Sequence, residues 1–192
     1  MKATIPSIIT TIRIVVAPII FFLLLSESSL QVLLGGIIFF IASYTDYVDG
    51  WLARRWNVQT KWGSFYDPFA DKVLTLTTFY YLVCVNIMPF WMFVVITIRD
   101  VLITLLRWRM NNNERPFITS LAAKIKTFYQ MIVLSIILIF IVLQKLFSNT
   151  VILNIEHTIP IQQIFSFLLL TVTAYSLWTG VEYLYKGFSW KK

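Results

Sequence analysis

Four of the chain's nine acidic side chains, Asp46, Asp49, Asp67 and Asp71, crowd into 26 residues that contain no histidine or cysteine. Carboxylates alone offer hard oxygen ligands, which suit Mg2+ or Mn2+ rather than zinc or copper. Four of them are enough for two such ions, the arrangement used for in-line displacement at phosphorus. In helical conformation Asp46, Asp49, Gly50 and Ala53 fall at i, i+3, i+4 and i+7, a single stripe, and Asp67 and Asp71 at i and i+4 form a second. An antiparallel helix pair with a short connection can turn the stripes towards each other. Gly50 and Ala53 then clear side-chain bulk beside the carboxylates, so that a ligand can approach. Simple pairing with Arg54, Arg55, Lys61 and Lys72 at solvated helix ends would account for the charges, but it requires neither small residue on the acidic stripe.

The elements that must position these groups are set by an apolar composition. Of 192 residues 58% are hydrophobic and 13% charged, and the mean hydropathy is +0.77, whereas soluble domains run near 45–50% apolar and roughly 25% charged. Stretches long enough to cross a bilayer, about 20 apolar residues each, lie near 8–25, 30–53, 67–88, 90–108, 121–143 and 161–185. The expected fold is all-α: one polytopic membrane bundle of six transmembrane helices, a single domain over 1–192. The first stretch carries Arg13 and Pro18 and lacks a small-residue cleavage site, so it reads as a span and not as a cleavable leader. Every Lys and Arg other than Arg99 and Lys145 falls on the side that holds both termini. The positive-inside rule makes that side the cytoplasm, of a bacterial inner membrane by default, with the acidic cluster facing it. The formal charge of +7 therefore reports topology, not nucleic-acid binding.

The remaining residues narrow the chemistry. The one cysteine, Cys84, sits in an apolar run, and the one histidine, His157, lies beside Glu156 in a polar loop, so neither a disulfide nor a histidine-based metal site or triad can be built. Asn111 to Pro116 reads as a cytoplasmic loop. On the fourth span Asp100, Ile103, Thr104 and Arg107 share a face, expected to point inward. Lys124 and Lys126 open the fifth, with Ser120 as a plausible N-cap and the helix N-terminus adding its own preference for anions. Arg107, Lys124 and Lys126 could together hold a phosphate on a second substrate. The same cations, with Arg109, could instead anchor anionic lipid head groups.

Asp46-x2-Asp49-Gly50-x2-Ala53-Arg54-x8-Gly63-x3-Asp67-x3-Asp71 matches the signature of the CDP-alcohol phosphatidyltransferase family at every defined position. IPSIITTIR at 5–13, DPFADK at 67–72, IRDVLITLLR at 98–107 and KIKT at 124–127 resemble the phosphatidylglycerophosphate synthase branch of that family. This resemblance covers roughly the first two-thirds of the chain. It implies attack of an acceptor hydroxyl on the β-phosphorus of CDP-diacylglycerol with release of CMP, the acceptor being sn-glycerol 3-phosphate. By position it implies that Asp46, Asp49, Asp67 and Asp71 hold two divalent cations, Mg2+ or Mn2+, and that Asp71 is the general base. Asp49, Gly50, Ala53, Arg54 and Gly63 would bind the CDP-diacylglycerol head group, and Arg107, Lys124 and Lys126 the acceptor phosphate. A homodimer among membrane lipids is implied in the same way.

Two alternatives stay open at this point. A cardiolipin synthase of the CDP-alcohol type, with phosphatidylglycerol as acceptor, shares the Asp-Pro-x-Ala-Asp-Lys pattern. A secondary transporter or channel with an acidic cation site is the rival from another class, and it would place carboxylates deep in several spans.

Overall fold

The computed structural model describes the backbone over residues 4–56, 63–112, 121–147 and 160–189 and side chains over 11–45, 72–106, 125–147, 160–183 and 185. Across these residues the chain is all-helical, with no strand. Six helices follow one another: α1 (Thr4–Leu24), α2 (Ser29–Trp56), α3 (Gly63–Cys84), α4 (Phe90–Asn112), α5 (Leu121–Leu146) and α6 (Ile161–Ser189). Asn111 and Asn112, expected in a loop, instead complete α4; helix ends commonly run on by a residue or two before the backbone turns away. His157 and the whole 113–120 connection, Ser120 included, lie outside the described residues.

Two compact units divide the chain: residues 1–81 with 137–158, and 82–136 with 159–192. In the first, α1 and α2 form a tight hairpin. Ser28 caps α2, its carbonyl accepting the Val32 N–H at 3.1 Å, while Ser26 Oγ donates to the Gln31 side chain and accepts from the Ser28 N–H. Paired glycines then bring two neighbours close. A Cβ at Gly35 would stand 3.1 Å from Leu23 Cβ and Leu24 Cδ2 of α1, and one at Gly36 would stand 2.9 Å from Val142 Cγ2 of α5. Ser29 Oγ ties the same corner by donating to the Lys145 carbonyl at the end of α5, at 3.0 Å. Ala17, Ile20, Phe39, Leu74 and Phe79 are among the residues that fill the interior, and Phe21 stacks on Tyr80 of α3.

The second unit opens with a tight reversal after α3. Asn86 takes a positive φ of 58°, with Ile87 N–H on the Leu82 carbonyl and Asn86 N–H on the Val83 carbonyl, both at 3.0 Å. That is the Schellman pattern, which satisfies the last carbonyls of α3. In this unit α4 and α6 run parallel: Arg99 lies against Gly180, and one turn on Ile103 is buried with Tyr183. Tyr129 of α5 packs edge-on against Tyr175 and donates to Thr171, whose own proton goes to the Leu168 carbonyl, while three residues earlier Lys126 meets Asp100, whose neighbour Arg99 reaches Thr179, so α5 runs antiparallel to α6.

Among the described residues two helices are long and apolar enough to cross a membrane, Ile125–Leu146 with 22 residues and Ile161–Tyr183 with 23, each about 33–35 Å at 1.5 Å per residue. Their outward faces are apolar as well. Ile132, Ile136, Ile139 and Leu143 form an exposed stripe along α5, and Phe167, Leu170, Leu177 and Trp178 are exposed on α6. A water-soluble helix would carry polar residues there. The surface is that of a membrane protein.

Candidate active site

Helix formation through both acidic segments decides what the spacing means. Asp46, Asp49, Gly50, Ala53 and Arg54 all lie within α2, and Gly63, Asp67 and Asp71 within α3. Asp46 and Asp49 are thus separated by about 4.5 Å of axial rise and Asp67 and Asp71 by about 6 Å, each pair on one side of its helix. Both helical segments belong to the first unit. Their side chains, and the 57–62 connection, lie outside the described residues. The donor set itself fits a divalent cation: carboxylate oxygens only, at helical spacing, with a glycine and an alanine on the same stripe. Among the described residues no other group of His, Cys, Asp or Glu could hold a metal.

Asp100, the acidic residue placed deepest in α4, is engaged elsewhere. It is 1% exposed and accepts from Lys126 Nζ at 2.7 Å and Arg99 Nη1 at 2.9 Å, both on Oδ1. Arg99 Nη2 reaches on to Thr179 Oγ1 at 2.8 Å. The Thr179 hydroxyl points its proton back at the carbonyls of Tyr175 and Ser176, each 3.0 Å away, leaving a lone pair for the guanidinium. Gly180 is what makes room, since a Cβ there would stand 3.0 Å from Arg99 Cγ. Buried Gln130 and Ser176 extend this polar seam.

The inward orientation expected of the Asp100–Ile103 face is observed: both are buried, and Thr104 Oγ1 turns back to the Asp100 carbonyl at 2.7 Å. The grouping of cations is more specific than sequence reasoning had it. Lys126 is 1% exposed with its amine on Asp100, and within α5 position 124 lies about 200° around the helix from it. Arg107 falls two turns beyond Asp100 on the same stripe; the side chains of Arg107 and Lys124 lie outside the described residues. Sequence reasoning missed Arg99, Thr179 and Gly180. The signal was present: an arginine and an aspartate inside an apolar helix must find partners on neighbouring helices.

The family profile described as CDP-alcohol phosphatidyltransferase matches residues 3–179. The chain belongs to that family. Among its relatives, the CDP-diacylglycerol–glycerol-3-phosphate 3-phosphatidyltransferase of Bacillus subtilis (strain 168) is 36% identical over 146 residues, covering 70% of this chain and 76% of that protein. The protein of the same name from Rickettsia typhi is 35% identical over 134 residues, covering 70% and 75%. That from Salmonella choleraesuis is 33% identical over 140 residues, covering 70% and 76%. This family member is therefore a phospholipid-biosynthetic transferase, and the match takes in residues 3–81 and 137–158 of the first unit and 82–136 and 159–179 of the second.

Proposed function

We propose that this transferase moves a phosphatidyl group from CDP-diacylglycerol to sn-glycerol 3-phosphate, giving phosphatidylglycerophosphate and CMP. The observation that carries the reading is the complete acidic signature laid on two helices of a chain whose relatives bear the name of that reaction. The acceptor hydroxyl oxygen forms a bond to the β-phosphorus, the bond from that phosphorus to the bridging oxygen breaks, and CMP leaves with the bridging oxygen. The hydroxyl proton passes to the Asp71 carboxylate, the general base of this scheme. Asp46, Asp49, Asp67 and Asp71 hold two divalent cations, Mg2+ or Mn2+, which when bound neutralise the pyrophosphate and the departing phosphate charge. Gly50, Ala53 and Gly63 give the nucleotide and pyrophosphate room beside Asp49, and Arg54 supplies a bidentate donor to phosphate. Arg107 and Lys124 bind the acceptor's phosphate.

In this reading residues 1–192 work as one catalytic domain that crosses a bacterial inner membrane six times, as a homodimer. Both termini and the acidic cluster face the cytoplasm, supported by the distribution of Lys and Arg. The bilayer keeps the diacyl tails while the head group reacts at its edge. The test is purified protein with CDP-diacylglycerol, Mg2+ or Mn2+, and a panel of hydroxyl acceptors, with CMP and lipid products read by mass spectrometry. Phosphatidylglycerophosphate formed only with glycerol 3-phosphate and a divalent cation is expected. Cardiolipin from phosphatidylglycerol would overturn the acceptor, and activity undiminished in a chelator would overturn the two-metal scheme.

A further inference from the structure

The ion cluster in the second unit lies on the same two helices as positions 107 and 124, two turns from the first and two residues from the second. Since α5 runs antiparallel to α6 and α6 parallel to α4, α4 and α5 are antiparallel. Going from Asp100 to Arg107 along α4, about 10 Å, and from Lys126 back to Lys124 along α5, about 3 Å, therefore leads towards the same end of the unit. Between those two helices the Asp100–Lys126 contact at 2.7 Å is a charge-assisted hydrogen bond with both side chains buried. Arg99 carries the same carboxylate's charge across to α6 through Thr179. A buried bond of this kind resists sliding or rotation, because losing it strands ions away from water. Arg107 lies two turns along the Asp100 stripe of α4, so its place follows how α4 is held.

We infer that Asp100 is a positioning residue for acceptor recognition, acting through Lys126 and Arg99 to set α4 against α5 and α6 and thereby to place Arg107. Lys126 is then the anchor of this arrangement, not a phosphate contact. The inference rests on the proposed role of Arg107.

The experiment measures steady-state kinetics for both substrates, with thermal melting in detergent, for Asp100→Asn, Lys126→Met, Lys126→Arg, Gly180→Ala and Arg107→Ala. Misplacing a binding group by about 1 Å can cost up to 10²-fold. Asp100→Asn and Lys126→Met should thus raise KM for glycerol 3-phosphate on the order of tenfold, with kcat and KM for CDP-diacylglycerol within about twofold. Lys126→Arg keeps a cation on the carboxylate and should restore acceptor KM. Gly180→Ala crowds Arg99 Cγ without removing a charge, and should move acceptor KM in the same direction in a protein that still folds. If Asp100→Asn, Lys126→Met and Gly180→Ala lower the melting temperature and shift both KM values together, or leave acceptor KM unchanged, the inference is overturned. An unchanged acceptor KM in Arg107→Ala overturns the acceptor reading and this inference with it, whereas a raised one beside an unaffected Asp100→Asn overturns the inference alone.

Discussion

Replacing Gly36 with alanine tests how closely α2 and α5 approach in the first unit. The added Cβ would stand 2.9 Å from Val142 Cγ2; methyl carbons are at ease at about 3.5–4.0 Å, leaving a shortfall of roughly 0.6–1.1 Å. Val142 cannot swing aside cheaply, since a β-branched side chain in a helix holds one χ1 rotamer. The helices must therefore part, loosening the Ser29–Lys145 bond at the same corner. Overpacking of this kind costs about 1–3 kcal/mol, while removing a helical glycine returns about 0.8–1.0 kcal/mol. Gly36→Ala should be net destabilising by about 1 kcal/mol. The informative measurement is a double-mutant cycle with Val142→Ala, read by denaturation in mixed micelles. Val142→Ala alone opens a cavity, but in the Gly36→Ala background the methyl added on α2 occupies part of it, giving a favourable coupling of about 1 kcal/mol. Additive effects, or a Gly36→Ala protein more stable than the parent, would refute the close approach.

Asp46→Asn, Asp49→Asn and Asp67→Asn should each bring CMP release to background while the protein still inserts and purifies, because a ligand charge is lost at nearly constant volume; turnover near the parent's in any of them would sink the two-cation scheme. Asp71→Asn should be as damaging with cation binding partly retained, which isothermal titration of the purified variant against Mn2+ will show. At the α3–α4 reversal, Asn86→Gly should leave stability within a few tenths of a kcal/mol, whereas Asn86→Val should cost about 1–2 kcal/mol by thermal melting, because only the valine resists the positive φ. With Cys84 replaced by serine, an impermeant thiol reagent on intact cells should label a cysteine introduced at Ser148 but not one at Asn112; the reverse pattern would invert the membrane orientation.

What could be read from residue order was whatever depends on local spacing. The apolar stretches predicted helices, and the intervals 46, 49, 50, 53 and 67, 71 remain on single helical faces because α2 and α3 run unbroken through them. The burial of Asp100 and Ile103 was legible for the same reason. What stayed hidden were pairings across distance in the chain. Lys126 reaches Asp100 over 26 residues and Arg99 reaches Thr179 over 80, and no periodicity within one helix announces either. Lys124 and Lys126 looked alike as neighbours in sequence, yet two steps along a helix put them on nearly opposite sides. Gly35, Gly36 and Gly180 carry no pattern of their own, because the roles of Gly36 and Gly180 are set by atoms over 80 residues away.

The partners of Arg99 also impose an order on how the chain is made. At synthesis rates of about 5–20 residues per second, Lys126 follows Asp100 by roughly 1–5 s and Thr179 follows Arg99 by roughly 4–16 s. For that interval the Arg99–Asp100 pair of α4 lacks its two outside partners, the lysine of α5 and the threonine of α6. Until α5 emerges the Asp100 carboxylate has only its neighbour's guanidinium, so α4 gains its second buried cation only when α5 packs against it. Thr179 then closes the set when α6 arrives, holding the arginine in place.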